Sequence, residues 1–286
     1  MRSRRGRPLV LIHGFIGSPV FWQPLLAELP RELARRALTP TVCGHGTPNY
    51  PAPPAPAPEG STQPGPDSFN NEVDRLAEWI REHRDQPSKA RQGSQKPLRN
   101  QRPGRKAKID LVGYSQGGRL ALGLLTRHQQ LFRRAVIIGT HPGLSSAEDR
   151  RRRREADETW AQLLETEGLE AFLNAWEALP HFSTQTPEQR ASLRAFRQHL
   201  DPVQLARALR AVGLGAMPDH RPLLPTVEVP VTLVAGELDT KFTALAHEME
   251  DLLPRGAAVV IPGTGHNPVL EAPRAIARLI TGSRHG

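Results

Sequence analysis

The chain of 286 residues contains one cysteine and no long hydrophobic run. A single cysteine, Cys43, excludes an internal disulfide bond and any metal centre built from several cysteines. No apolar run approaches the roughly 20 residues that a membrane-spanning helix requires. The apolar run after the basic start of the chain, residues 9–12, is far too short for the core of a signal peptide. These features predict a cytoplasmic protein that does not insert into a membrane.

The formal net charge is +9, a value that by itself suggests a nucleic acid or an anionic membrane surface as partner. The charge is unevenly distributed, however. Residues 2–7 carry a net +4 and residues 84–108 a net +8, which leaves −3 for the rest of the chain. The basic character therefore belongs to two polar segments, and we expect no nucleic-acid partner.

Short apolar segments alternate with amphipathic ones, which predicts an α/β fold whose mostly parallel sheet carries helices on both faces. The predicted strands are residues 9–12, 38–42, 109–112, 135–139, 231–235 and 259–261. Helix starts are predicted at Ser18-Pro19, at a capping box of Ser145 and Glu148, at Thr186 with Gln189, and at Asp201-Pro202.

Three segments depart from this alternation. Residues 48–66 contain eight prolines, and residues 84–108 are basic and rich in glutamine, so both are predicted to be loop-like inserts. Residues 143–220 contain only helical patterns. We expect them to form a helical cap on a core made of residues 1–142 and 221–286.

Residues 113–117 form a G-x-S-x-G motif, Gly113-Tyr114-Ser115-Gln116-Gly117, between a predicted strand and a predicted helix. The two glycines suit a sharp strand–turn–helix corner, where larger side chains would collide across the turn. Such a corner presents the Ser115 hydroxyl at the N-terminus of a helix, whose dipole favours negative charge. The alternative is a structural turn that is rich in glycine and serine.

A serine hydroxyl is inert until a base accepts its proton. Asp239 and His266 each follow a predicted strand, and the chain order of Ser115, Asp239 and His266 is that of a catalytic triad in this architecture. The structural alternatives are a helix-cap role for Asp239 and a loop role for His266. The backbone N–H groups of Phe15 and Gln116 are the candidate donors of an oxyanion hole.

The chain resembles the 2-succinyl-6-hydroxy-2,4-cyclohexadiene-1-carboxylate synthases of menaquinone biosynthesis, in the α/β-hydrolase superfamily, over nearly its whole length. The resemblance rests on Gly113-Tyr114-Ser115-Gln116-Gly117-Gly118-Arg119, His141-Pro142-Gly143-Leu144, Gly236-Glu237-Leu238-Asp239-Thr240-Lys241-Phe242, Gly265-His266-Asn267 and the cap residues Arg153, Asp157, Trp160, Trp176, Pro180 and Phe182. It implies a lyase in which Ser115, activated by His266, removes a ring proton and pyruvate leaves. It also implies that no metal or organic cofactor is needed.

The substrate that this resemblance implies is a small polycarboxylate, and arginine binds carboxylates through two parallel hydrogen bonds. Arg153, Asp157 and Trp160 are spaced to share one face of a helix. Arg119 lies four residues after Ser115, within reach of the same pocket. Further candidates for substrate binding are Tyr114, Trp176 and Lys241. The alternative for Arg153 is an ordinary solvated helix face.

Two other functions stay open at this point. The same triad suits a serine hydrolase that acts on an ester or a carbon–carbon bond, and such an enzyme would not depend on Arg119 or Arg153. A binding protein for RNA or an acidic partner would instead depend on residues 84–108 and not on Ser115.

Overall fold

The computed structural model describes residues 8–46, 69–84 and 107–282. The predicted insert at 48–66, nearly all of the one at 84–108, and the basic start of the chain lie outside these residues. The strands are β1 (Leu9–Ile12), β2 (Ala37–Leu38), β3 (Ile109–Tyr114), β4 (Phe132–Ile138), β5 (Val231–Gly236) and β6 (Gly256–Ile261).

The α-helices of the described residues fall before, between and after these strands. They are α1 (Gln23–Glu28), α2 (Arg31–Ala34), α3 (Phe69–His83), α4 (Gln116–His128), α5 (Ala147–Thr166), α6 (Gly168–Glu177), α7 (Pro187–Arg197), α8 (Pro202–Val212), α9 (Thr240–Leu252), α10 (Pro268–Glu271) and α11 (Pro273–Thr281). None of them is both long and apolar enough to cross a membrane.

The six strands form one parallel sheet in the order β2-β1-β3-β4-β5-β6. The chain passes from β1 outward to β2 and then returns to β3 on the other side of β1, so the strand order reverses between β1 and β3. Ligands of open α/β sheets bind outside the carboxyl ends of the strands at such a point. The parallel α/β fold predicted from the sequence is confirmed.

The core lies on both faces of this sheet because successive strand residues point in opposite directions. Val10 and Ile12 of β1 pack in a cluster with α3, α4 and α9, and Leu9 and Leu11 pack in a second cluster with α1 and α11. Helix α3 contributes one apolar face to the first of these clusters, and this face is buried: Val73, Leu76, Trp79 and Ile80.

Helices α5 to α8, called the cap helices below, fall between β4 and β5 in the chain. Helix α5 packs along both α6 and α8, and the apolar cluster between them contains Phe172, Leu205 and Leu209. The same cluster includes Ile16 from the loop after β1. The cap helices are thus anchored on the loop that follows the first strand.

A strand is predicted at residues 38–42, and its predicted extent is wrong, because β2 contains only Ala37 and Leu38. Beyond it the backbone leaves the sheet. Cys43 donates its N–H to Glu72 Oε1 of α3 at 2.9 Å rather than to a neighbouring strand. At Cys43 the chain after β2 is thus tied to α3 and not to the sheet.

The helix start predicted at Ser145 and Glu148 is also wrong, by one residue. Ser146 is the N-cap of α5, and its hydroxyl accepts a hydrogen bond from the N–H of Asp149. Two other predicted starts are confirmed, the Thr186–Gln189 capping box and the Asp201 N-cap.

Three of the buried histidines, His13, His45 and His220, should make this fold sensitive to acid. Burial lowers the pKa of His13 and His220 to about 4 and the pKa of His45 to about 3, because a buried imidazolium loses its hydration. Below pH 6.5, their ordinary pKa, the unfolded chain binds protons that the folded chain does not. The free energy of unfolding should therefore fall as the pH drops from this value, by about 2 kcal/mol for each histidine at about pH 5.

Urea unfolding at about pH 7.5 and about pH 5 measures this loss. The variant His220→Phe removes one of the three groups and should lose less of its free energy of unfolding on acidification than the wild type. The matched control is the same change at the exposed His199, which retains all three buried histidines. Equal free energies of unfolding of the wild type at the two pH values would contradict the prediction.

Candidate active site

Ser115 occupies the turn between β3 and α4, with a φ of 51° and a ψ of −112°. Its N–H donates to the carbonyl of Ile138 in β4 at 2.8 Å, which holds the turn on the sheet. A Cβ atom at Gly117 would lie 2.0 Å from the Ile12 carbonyl oxygen, and one at Gly113 would lie 2.5 Å from the Gly117 carbonyl oxygen. The two glycines of the motif therefore permit the close packing that holds the serine in a strained conformation.

The structure brings Ser115, Asp239 and His266 together. His266 Nε2 is 3.3 Å from Ser115 Oγ, and His266 Nδ1 is 2.7 Å from Asp239 Oδ2. The carboxylate accepts the Nδ1–H, which leaves the lone pair of Nε2 facing the serine hydroxyl. This arrangement can transfer a proton from the serine to the imidazole.

Asp239 also begins helix α9, so its two interpretations from sequence are compatible. One carboxylate oxygen, Oδ1, accepts the N–H of Phe242 as the helix N-cap, while the other faces His266. The helix start thus fixes the carboxylate that orients the imidazole.

The turn that carries His266 is held by Glu271 of α10. Its carboxylate accepts the N–H of Gly265 at 2.6 Å and the N–H of Asn267 at 3.2 Å, one residue on each side of the histidine. The Phe242 ring covers the imidazole with a centroid distance of 4.5 Å. His266 is therefore positioned by its backbone as well as by its carboxylate partner.

The candidate oxyanion donors lie beside the serine. Phe15 and Gln116 both line the cavity above Ser115. Gln116 is the first residue of α4, and the first N–H groups of a helix have no partner within the helix. The loop that carries Phe15 turns through a hydrogen bond from the Gly17 N–H to the Gly14 carbonyl at 3.1 Å.

A cavity of about 370 Å³ opens over the serine, between the ends of the strands and the cap helices. Three of the cations predicted from the sequence line it: Arg119, Arg153 and Lys241. The apolar part of its wall contains Phe15, Trp176, Leu209, Leu214 and Phe242. Such a wall suits a ligand that carries both anionic groups and an apolar ring.

The two arginines of this cavity are each fixed by one contact. Arg119 donates from Nη1 to the Val212 carbonyl at 3.0 Å, and Arg153 donates from Nε to Asp157 Oδ1 at 2.8 Å. Burial and the charge of Arg153 lower the pKa of Arg119 to about 9, so it stays protonated at neutral pH. A guanidinium has five N–H donors, and most of these remain for an anionic ligand.

His141 lies among the cations of this cavity. It lines the wall, and its Nδ1 accepts the N–H of Gly143 at 3.0 Å. Burial lowers its pKa to about 4, and the nearby cations contribute in the same direction: Lys241, Arg221, Arg119 and Arg153. Within the described residues, no group of histidine, cysteine and acidic side chains could hold a metal ion.

The weaker candidates from sequence differ in their placement. Trp176 lines the cavity over the serine and packs edge-on against Phe15 with a centroid distance of 5.3 Å. Tyr114 does not line that cavity. Its ring stacks on Phe21 at 5.1 Å and borders only a smaller cavity next to the serine.

That smaller cavity, about 50 Å³ in volume, contains a cation that the sequence analysis missed. Arg197 is buried there and donates from Nη1 to Glu177 Oε1 at 2.9 Å. The available signal was its spacing, since it follows the buried Leu193 by four residues and thus lies on the apolar face of α7. His181 lines both cavities and was missed as well, because a single turn of 3₁₀-helix leaves no periodic pattern.

Comparisons with known proteins agree with this architecture. The profile of the alpha/beta hydrolase family matches residues 9–279. The chain is 30% identical to the 2-succinyl-6-hydroxy-2,4-cyclohexadiene-1-carboxylate synthases of Enterobacter sp. (strain 638) and of Escherichia coli O17:K52:H18, over 96% of this chain and 92% and 94% of theirs. The solved structure of MenH from S. aureus is similar with a TM-score of 0.79 and 26% identity, over 98% of this chain and 94% of that one.

Proposed function

We infer that this chain, which belongs to the alpha/beta hydrolase family and within it to the 2-succinyl-6-hydroxy-2,4-cyclohexadiene-1-carboxylate synthases, is a lyase of menaquinone biosynthesis. It eliminates pyruvate from a succinyl-enolpyruvyl-hydroxycyclohexene-carboxylate. The observation that carries the proposal is one cavity in which the Ser115 hydroxyl faces Arg119, Arg153 and Lys241. A substrate with several carboxylates needs such cations, whereas a hydrolase of small neutral esters does not.

The proposed reaction begins with proton transfers at the triad. His266 Nε2 accepts the proton of Ser115 Oγ, and Asp239 stabilises the imidazolium that forms. The serine oxygen then removes the acidic ring proton next to the succinyl carbonyl of the substrate. That proton restores the serine hydroxyl, so the serine acts as a base and forms no covalent intermediate.

Charge develops on the succinyl carbonyl oxygen as the ring proton leaves. The backbone N–H groups of Phe15 and Gln116 are the proposed donors to this oxygen, at a position beside Ser115 where fixed dipoles need no rearrangement. The electron pair moves through the ring and forms the second carbon–carbon double bond of the product. The carbon–oxygen bond to the enolpyruvyl group breaks, and the proton held by His266 goes to the departing enolate, which becomes pyruvate.

The substrate carboxylates are assigned to the cations of the wall. Arg119 and Arg153 point into the cavity from α4 and α5, and each can hold a carboxylate through two N–H groups. Lys241 adds a third positive charge from α9, and Trp176 offers an aromatic surface to the ring. The proposed partner of the chain is therefore a small polycarboxylate.

The test is the release of pyruvate from the synthase substrate, followed by coupling to a pyruvate-reducing dehydrogenase. The wild-type enzyme should release one pyruvate for each substrate consumed. If it releases none but turns over simple p-nitrophenyl esters, the chain is a hydrolase and the proposal is wrong.

A further inference from the structure

The loop that carries Phe15 contains a strained residue that the proposed mechanism does not use. Ile16 has a φ of 51°, and among the described non-glycine residues only Ser115 shares a positive φ. A β-branched residue avoids this region, at a cost of about 1–3 kcal/mol. Such strain persists only where the surroundings fix the backbone, so contacts around Ile16 must hold it in place.

His45 is the partner that fixes the N–H of Ile16. Its Nε2 accepts this N–H at 2.9 Å, and its Nδ1 lies 2.8 Å from the Cys43 carbonyl oxygen. A carbonyl oxygen can only accept, so Nδ1 carries the proton and the lone pair of Nε2 faces Ile16. Burial and the neighbouring His13 lower the pKa of His45 to about 3, which keeps the ring neutral at neutral pH.

The rest of this loop is held as well. Arg197 of the cap helices donates from Nε to the Ile16 carbonyl at 3.4 Å, and the Ile16 side chain is buried against the cap helices. The His45 ring also packs edge-on against Phe15 at 5.4 Å. Ile16 is therefore held at its N–H by the loop after β2 and at its carbonyl by α7.

We propose that His45 is a positioning residue of the active site, which fixes the peptide after Phe15 and so keeps the Phe15 N–H directed at the oxyanion beside Ser115. Without an acceptor for the Ile16 N–H, the peptide between Phe15 and Ile16 rotates and the strained φ relaxes. That peptide and the one that carries the Phe15 N–H share the Phe15 Cα atom, so a shift of Phe15 also redirects this N–H. The inference rests on the proposed function only in that both require an oxyanion next to Ser115.

Loss of one well-aligned oxyanion donor lowers kcat by about 10²–10³-fold, and a donor that is only misdirected should lower it by about 10–100-fold. Three variants separate the contacts of His45. His45→Phe keeps the ring shape but has no acceptor, His45→Asn can bond Cys43 but is too short for Ile16, and His45→Gln can reach the Ile16 N–H. In His45→Phe and His45→Asn, kcat should fall by this factor while KM stays within about threefold of the wild type. In His45→Gln, kcat should return to near the wild-type value.

The matched control is His220→Phe, since His220 is equally buried but lies outside both cavities. Its kcat should equal that of the wild type even if its free energy of unfolding changes. Two outcomes overturn the proposal: a wild-type kcat in His45→Asn, or an equal loss of kcat in His220→Phe. If His45→Phe does not fold, the comparison of His45→Asn with His45→Gln still tests the proposal.

A second readout is the rate at which p-nitrophenyl acetate acetylates Ser115, because acetylation also places an oxyanion beside the serine. It should fall in His45→Phe and His45→Asn by a factor similar to that of kcat. An unchanged acetylation rate in both variants overturns the proposal. If the wild-type enzyme releases no pyruvate, the proposed function fails, but the acetylation rates still test the role of His45.

Discussion

Replacing Ser115 with alanine should lower kcat for pyruvate release by roughly 10²–10⁴-fold, the share that a positioned base contributes. The alanine keeps the turn but removes the only oxygen that lies 3.3 Å from His266 Nε2 in the described site. KM should stay within about threefold, because the cations that we assign to the substrate carboxylates are untouched. Coupled pyruvate release at saturating substrate measures the change.

A matched serine change serves as its control. Ser192 is exposed on α7, so Ser192→Ala should leave both kcat and KM as they are. Retention of more than a tenth of the wild-type kcat in Ser115→Ala would show that the ring proton is removed by another group, and would refute the role given to the serine.

The second large effect concerns the choice between an anionic and a neutral substrate. Arg119→Ala should lower kcat/KM for pyruvate release by about 100-fold, because it removes a charge-assisted hydrogen bond worth up to about 3 kcal/mol. The acetylation of Ser115 by p-nitrophenyl acetate should change less than about threefold, since that ester carries no carboxylate. Arg153→Ala should act in the same direction, with an added loss of stability because Asp157 is left buried without its arginine.

Arg210→Ala is the control for these arginine variants. Arg210 pairs with Glu158 and Glu165 on the outer face of the cap helices and lines neither cavity, so its loss should not change kcat/KM. If Arg119→Ala slows acetylation as much as pyruvate release, the arginine acts on the triad and the assignment to a substrate carboxylate is wrong.

The sequence predicted the parts of the site that depend on local structure. Ser115 directly follows β3, and Asp239 and His266 lie a few residues after β5 and β6. The carboxyl ends of parallel strands lie at one edge of the sheet, so the strand pattern predicts that all three residues lie at that edge. Arg119 is equally local, since it lies one helical turn after the serine.

The parts that the sequence did not predict depend on contacts between distant segments. Arg197 reaches the smaller cavity only because α7 packs beside the loop of Ile16. Tyr114 belongs to the motif, yet its ring stacks on Phe21 and borders the smaller cavity rather than the one over the serine. At the start of α5 the adjacent serines 145 and 146 are both good caps, and only the three-dimensional turn selects the second.

The register of β1 against β3 has a consequence for how enzymes of this design diversify. Ile12 pairs with Gly113 at the ends of these strands, so the loops of Phe15 and Ser115 are about one strand spacing apart, roughly 4.8 Å. The backbone ladder sets that spacing, whereas Arg153 and Trp176 belong to the helices inserted after β4. Substitutions at these two positions can therefore change which anion is accepted while the serine and the oxyanion loop keep their relative placement.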